Sequence, residues 1–261
     1  VGCYNSLNLY LEMIEKEPMP RAYQLGSYEK LKEHISLQDF ESTKIIVTGD
    51  GRVAKGTLEL LEFANINQIT PNKFNTNNHS TAVFCNLPTS GYVKHKDDKE
   101  FDLQHFIQSP NMYVSVLENF LPYTTMLISS HYWDPKSPRL FEKQNIQQYT
   151  QLKVIGDITC DINGSIPTTS KPSTIKDPYY YIDRITHKEI EKNTSSLAVM
   201  AVDNLPSELP KDSSKEFGDG IVKEVFPFLL EEDDGRIKKA TIIKNGSFCS
   251  SYKFLYNYIK T

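Results

Sequence analysis

The residues whose types and spacing most clearly suggest chemistry are Gly49-Asp50-Gly51-Arg52-Val53-Ala54-Lys55-Gly56. They follow a short apolar run and open a stretch with helical periodicity, the setting that a dinucleotide fingerprint requires. Gly49 would allow the tight turn. Gly51 would let backbone amides approach a pyrophosphate. The helix that begins there would offer free N–H groups and a positive dipole end to the anion. Ala54 takes the third small position, with Gly56 two residues on, and Arg52 could add a charged contact to phosphate. A ligand-free structural turn would use the same glycines. The flanking strand, helix and second strand favour nucleotide binding.

An acid normally follows such a loop by about 20 residues and binds the adenosine ribose. Pro71-Asn72-Lys73 stands there instead. Lys73 either meets a 2′-phosphate, which would favour NADP, or is an ordinary exposed lysine. NAD and NADP both stay open as cofactors.

Other candidates have a chemical and a bland reading. Asp157 and Asp161 are carboxylates four apart, suited to acid/base work or equally to turn formation. Asp203 before Asn204 could line a pocket or cap the following helix. His131 beside Tyr132 is the most tempting histidine, although a structural role suits it as well. Trp133 suits packing, and Tyr179-Tyr180-Tyr181 a half-buried strand without a base-stacking platform. The four cysteines, Cys3, Cys85, Cys160 and Cys249, form no CxxC pair and have no histidine at metal-ligand spacing. They read as reduced, mostly buried thiols of a cytoplasmic protein, and no metal site is expected. The sequons at Asn163, Asn193 and Asn245 are then chance matches.

These residues need elements to hold them. A helix is predicted over 2–16, ended by Pro18 and Pro20, and a second over 27–37. Lys44 to Thr48 reads as a buried parallel strand, 57–64 as a helix, and Ile66 to Thr70 as the next strand, together a β-loop-α-β unit. Thr81 to Cys85 reads as a strand, 86–104 as solvated loop and 101–120 as helical. Thr125 to Ser129 and Lys153 to Ile158 read as strands around a helix from Arg139 to Gln148. Residues 163–178 read as loop, Tyr179 to Asp183 and Leu197 to Val202 as strands. A long helix is predicted over 210–231, then a strand at 240–243, a turn at Asn245-Gly246 and a terminal helix over 252–259. Strands alternating with helices imply an α/β fold, a Rossmann-like doubly wound parallel sheet.

Size and composition agree. The chain has 261 residues, with 39% hydrophobic and 24% charged. The net charge of −4 argues against nucleic acid as the main partner. No apolar run reaches the roughly 18–20 residues needed to cross a bilayer, so no membrane partner is expected, and no secretory leader is visible. Homo-oligomer formation is left open.

Several segments, in order, resemble one family: Gly49 to Gly56; Tyr132-Trp133-Asp134 with Pro138-Arg139-Leu140; Asp157 to Ile166; Thr174-Ile175 with Pro178; and Asp203-Asn204-Leu205-Pro206 through Leu209-Pro210 to Phe217-Gly218-Asp219. The chain is similar to the lysine-ketoglutarate reductase and lysine-forming saccharopine dehydrogenase family, related in fold to alanine dehydrogenase. The resemblance implies two Rossmann-like domains with the active site in the cleft between them. It implies that the N-terminal part of the second domain, which carries the lysine and histidine acid/base groups, is missing here, so no catalytic residue is assigned. Residues 21–206 would form the dinucleotide-binding domain. Residues 1–20 and 207–261 would be a linking helix and a C-terminal segment that pack with the missing substrate domain.

The resemblance further implies that Gly49, Gly51, Arg52 and Val53 hold the pyrophosphate and that Tyr132 lines the cofactor. Gly156 would approach the nicotinamide, and Val202, Asp203, Asn204 and Leu205 would close its pocket. Asp157, Ile158 and Thr159 would face both cofactor and an amino-acid or 2-oxo-acid substrate. The implied activity is NAD(P)-dependent oxidoreduction at the C–N bond of saccharopine. An amino-acid dehydrogenase such as alanine dehydrogenase on the same scaffold, and a nucleotide-binding module without catalysis, remain as alternatives.

Overall fold

The computed structural model describes residues 1–75 and 79–259, and the chain divides into two units, Val1–Leu209 and Pro210–Thr261. The first unit is built on an eight-stranded sheet. Its strands are β1 (Lys44–Thr48), β2 (Asn67–Gln68), β3 (Val83–Leu87), β6 (Met126–Ser129), β7 (Val154–Asp157), β8 (Tyr179–Ile182), β9 (Glu189–Ile190) and β10 (Leu197–Met200). The order is β2-β3-β1-β6-β7-β10-β8-β9. The first six run parallel, and β8 and β9 add an antiparallel edge hairpin. The fold is thus the Rossmann-like α/β class that the alternation of elements predicts.

β1, β6, β7 and β10 are apolar and almost wholly buried, as parallel strands covered on both faces must be. Alternate residues feed two cores. Ile45, Val47, Met126, Ile128 and Val154 pack on one face with helices α1 (Gly2–Met13), α3 (Tyr28–Ser36) and α4 (Arg52–Phe63). Ile46, Cys85, Leu127, Ile155 and Val199 face the other core. That side is covered by the one-turn helices α5 (Pro71–Phe74) and α6 (Thr89–Tyr92) and by 3-10 turns at Leu117–Asn119, Leu121–Tyr123 and Lys143–Gln148. A four-residue helix, α2 (Ala22–Leu25), joins α1 to α3.

α1 stops at Met13, short of the predicted 2–16, and Glu15 takes a positive φ of 61°. Every residue from Gly2 to Leu11 is buried, polar Asn5, Ser6 and Asn8 included. Burying Leu7, Leu9 and Leu11 contributes roughly 1.5–3 kcal/mol each. α1 packs with the sheet in the first unit, and the two units divide at Leu209/Pro210.

Three other expectations are corrected. The strand predicted at 66–70 shrinks to two exposed residues and pairs with β3, not with β1. The more apolar Val83–Leu87 takes the inner place, because that position is covered on both faces. The predicted helix over 101–120 breaks up. Only α7 (Leu103–Gln108) forms, capped by Asp102, before a Pro110 3-10 turn and strand β5 (Tyr113–Ser115), which pairs with β4 (Val93–His95) inside the predicted loop. Proline ends the helix by removing an N–H donor. The helix predicted at 139–148 is a 3-10 turn at Lys143–Gln148, where Glu118 accepts from the Glu142 amide, Asn145 Nδ2 and the Tyr149 hydroxyl.

In the second unit, the long helix predicted over 210–231 divides into α8 (Pro210–Glu224) and α9 (Phe226–Leu230) at Pro227. α10 (Arg236–Ala240) follows. The strand predicted at 240–243 is displaced to β11 (Ile243–Lys244), which makes a hairpin with β12 (Ser247–Phe248) around Asn245-Gly246. The terminal helix begins as a 3-10 turn, Ser250–Leu255, and becomes α11 (Tyr256–Ile259). Among the described residues, no helix is long and apolar enough to cross a membrane.

Candidate dinucleotide cleft

The connections from β1 and from β6 leave the sheet in opposite directions, so the strand order reverses between them. Open α/β sheets bind ligands just beyond the carboxyl ends of strands at such a point. An open cleft of about 630 Å³ lies there. Its floor comes from three successive strand ends: Gly49 to Val53 after β1, Ser130 to Trp133 after β6, and Ile158, Thr159 and Asp161 after β7. Thr89 and an apolar wall from α7, Leu103, Phe106 and Ile107, complete it.

The glycine loop has the geometry that its sequence implies. Gly49 is buried with φ +101°, a conformation that L side chains rarely adopt. A Cβ there would meet Ser130 O at 2.8 Å and His131 Cα at 3.0 Å, so the loops after β1 and β6 touch at this residue. The Gly49 amide donates to Leu87 O at 2.8 Å, fastening the loop to the end of β3. Gly51 is the N-cap of α4 and has no side chain to cap it. A Cβ at Gly51 would meet nothing within 4 Å. The first-turn amides of α4 have no partner within the helix, as at any helix start. Open space, free amides, a dipole end and the exposed Arg52 fit an anionic pyrophosphate.

Behind the loop, polar side chains join the strand ends. Thr57 Oγ1 lies 3.1 Å from Ser130 Oγ, and Thr48 Oγ1 lies 2.8 Å from His131 Nδ1. His131 is only 8% exposed, and its Nε2 is buried without a hydrogen-bond partner. Burial lowers its pKa from 6.5 to about 4, so the ring is neutral at physiological pH. A neutral imidazole of this kind braces the loop and has no proton to donate as an acid near pH 7. Tyr132, next along the chain, is 89% exposed on the cleft wall. The Trp133 indole N–H donates to Pro138 O.

Of the residues that the sequence proposes for the site, Gly49, Gly51, Arg52 and Val53 come together with Tyr132, Ile158 and Thr159. Gly156 and Asp157 do not line this cleft. Gly156 is buried in β7, where a Cβ would stand 2.0 Å from Ser6 Oγ, so the missing side chain makes room for α1. Asp157 is fully buried. Its Oδ1 accepts from the Thr159 amide, the Thr159 hydroxyl and the Cys160 amide at 3.1, 2.5 and 3.3 Å, and its Oδ2 accepts from Thr169 Oγ1 at 2.6 Å. Burial raises its pKa, against these hydrogen bonds that lower it. Both oxygens are committed to shaping the turn that presents Ile158 and Thr159, which is the turn reading of this acid. Asp161, four residues on, does line the cleft.

Val202, Asp203, Asn204 and Leu205 follow the next strand, β10, also outside the cleft lining. Val202 is buried, and Asp203 and Asn204 are exposed. Leu205 approaches Ile158 across Gly2, where an added Cβ would meet both side chains. The turn that Leu205 opens is held by Glu208, which is fully buried and receives Arg21 Nη2 at 2.9 and 3.0 Å and Asn5 Nδ2 at 2.7 Å. Lys73 is exposed on α5 and is not part of the cleft. The apolar α7 wall was missed, although an N-capping Asp102 ahead of exposed Leu103 and Ile107 was a signal available in the sequence. All four cysteines are free, two of them buried.

Comparison with known proteins places this architecture. A model of the alanine dehydrogenase/PNT C-terminal domain matches residues 105–250, more than half of the chain. The chain belongs to this family. The match begins after the glycine loop, so the loop and the family model are independent observations. The chain is also similar to alpha-aminoadipic semialdehyde synthase of Arabidopsis thaliana, 28% identical over 236 residues. That alignment covers 80% of this chain and 22% of the relative. The mitochondrial alpha-aminoadipic semialdehyde synthases of Bos taurus and Rattus norvegicus are each 26% identical over 245 residues, covering 80% of this chain and 26% of the relative. The chain therefore spans about a quarter of the length of these relatives. The mitochondrial names of the two animal proteins lend the cytoplasmic expectation no support.

Proposed function

We propose that this chain is the cofactor-binding part of an NAD(P)-dependent oxidoreductase of lysine metabolism that acts on the C–N bond of saccharopine. The observation that carries the reading is the cleft at the reversal of strand order, with open space at Gly51 against the free amides of α4. The similarity to alpha-aminoadipic semialdehyde synthases supports the lysine context.

In this reading the first-turn amides of α4 and Arg52 bind the pyrophosphate, and Gly49 holds the loop against β6 so that the amides converge. Tyr132 and Ile158 flank the cofactor, and the Thr159 hydroxyl is oriented by its hydrogen bond to Asp157. The segment from Val202 to Leu205 closes the nicotinamide end. A bound nicotinamide supplies hydride transfer to or from the substrate carbon. Lysine and 2-oxoglutarate condense with loss of water to an imine, and addition of hydride and a proton gives saccharopine; the reverse direction oxidises saccharopine and hydrolyses the imine. His131, neutral and buried, is no candidate for the proton donor. The acid/base groups are assigned to a segment of the enzyme outside these 261 residues. The second unit, whose α8 has no buried residue, is assigned to the domain that carries them.

The test is an assay of the full-length gene product with NADH and NADPH, lysine and 2-oxoglutarate. Lysine-dependent oxidation of either cofactor is expected. If cofactor binds but only pyruvate with ammonia causes oxidation, the activity is that of an alanine dehydrogenase. Binding without any oxidation would make the chain part of a nucleotide-binding module, and no binding would dismiss the cleft.

A further inference from the structure

The count from the glycine loop leads to Lys73, but the sheet leads elsewhere. In dinucleotide folds the adenosine ribose is read at the carboxyl end of the strand beside the first one. Here that neighbour is β3, not β2, with Thr48 opposite Leu87. The Gly49 amide is bonded to Leu87 O, so the residues after β3 stand directly against the phosphate loop. Those residues are Pro88, Thr89 and Ser90. Thr89 is half-buried and lines the same cleft as Gly49 to Val53. The Tyr92 hydroxyl approaches Thr89 Oγ1 at 3.4 Å. The apolar side chains of Leu103, Phe106 and Ile107 form a wall of the same cleft, suited to a flat base.

We infer that Thr89 is the residue that faces the 2′ position of the adenosine ribose and sets the choice between a 2′-hydroxyl and a 2′-phosphate. This rests on the cleft being the dinucleotide site. No carboxylate occurs from Leu87 to Tyr92, so the place that normally repels a 2′-phosphate holds a neutral hydroxyl. Lys73 follows β2, one strand further out, and plays no part. The carboxylates that line the cleft belong to Asp50, which sits on the phosphate turn itself, and to Asp161, which follows β7.

The experiment titrates NADH and NADPH fluorescence against the wild-type protein and the Thr89→Asp, Thr89→Arg and Lys73→Ala variants, with melting curves as the folding control. Thr89→Asp should weaken NADPH relative to NADH by about tenfold or more, through like-charge contact with the 2′-phosphate. Thr89→Arg should move the ratio the other way by about fivefold or more, by pairing with that phosphate. The opposite signs separate specificity from damage to the fold, which would weaken both cofactors together. Lys73→Ala should leave the ratio unchanged. If both Thr89 variants bind with the wild-type ratio, or if Lys73→Ala moves the ratio instead, the assignment of Thr89 is overturned. If the wild type binds neither cofactor, the cleft reading itself fails and this inference falls with it.

Discussion

Replacing Gly51 by valine separates binding from folding. Gly51 has φ −77° and ψ −171°, ordinary extended backbone that valine adopts readily. It is exposed, and an added Cβ meets nothing within 4 Å. The folding cost is then limited to a poorer N-cap, about 1 kcal/mol or less. The binding cost is larger. A branched side chain at the mouth of α4 occupies the space where a pyrophosphate would meet the first-turn amides. Losing one charge-assisted hydrogen bond, at roughly 1.5–3 kcal/mol, together with part of the helix-dipole attraction, at about 0.3–1 kcal/mol, gives about 2–4 kcal/mol. That corresponds to roughly 30- to 1000-fold weaker binding at 1.36 kcal/mol per tenfold. Fluorescence titration with NADH and NADPH, alongside thermal melting, measures both quantities. A Gly51→Val protein that melts like the wild type and binds both cofactors unchanged would remove this loop from the site.

Gly49→Ala should behave oppositely and lose stability by about 2 kcal/mol or more, because φ +101° is strained for alanine and Ser130 O stands 2.8 Å from the new methyl; a melting temperature within a degree of wild type would refute this. His131 makes the fold acid-sensitive. Its folded pKa of about 4 lies below the ordinary 6.5, so its contribution is complete above about pH 6.5 and is lost as pH falls from 6.5 towards 4. The full loss is about 3 kcal/mol at 1.36 kcal/mol per pH unit. Urea titrations across that range should show the wild type losing stability relative to His131→Asn, and parallel curves would count against the buried neutral ring. Glu208→Ala should cost about 3–5 kcal/mol in urea unfolding, since it leaves Arg21 largely buried without its carboxylate; a loss below about 1 kcal/mol would show that the pair does not hold the turn after β10.

What could be read from the residues alone follows how local each cause is. β1, β6, β7 and β10 announce themselves because a strand covered on both faces is apolar along most of its length. Gly49 announces itself because a turn with positive φ needs glycine whatever surrounds it. Strand order is not local. Whether 67–68 or 83–87 lies beside β1 depends on which segment better fills a position covered from both sides, and this competition displaced the ribose landmark from Lys73 to the end of β3. Gly156 shows the same limit. Its glycine is needed, but the sequence cannot tell whether the space serves a cofactor or Ser6 of a helix 150 residues away in the chain, and the sheet gives it to the helix. Asp157 then follows from Gly156: with α1 pressed onto that end of β7, the carboxylate is buried, and both its oxygens turn to the loop that carries Thr159 towards the cleft. The residues best placed to touch a cofactor are therefore those whose missing or small side chains face open space, Gly51 above all, and the residues that hold them there are the ones whose side chains are already fully engaged.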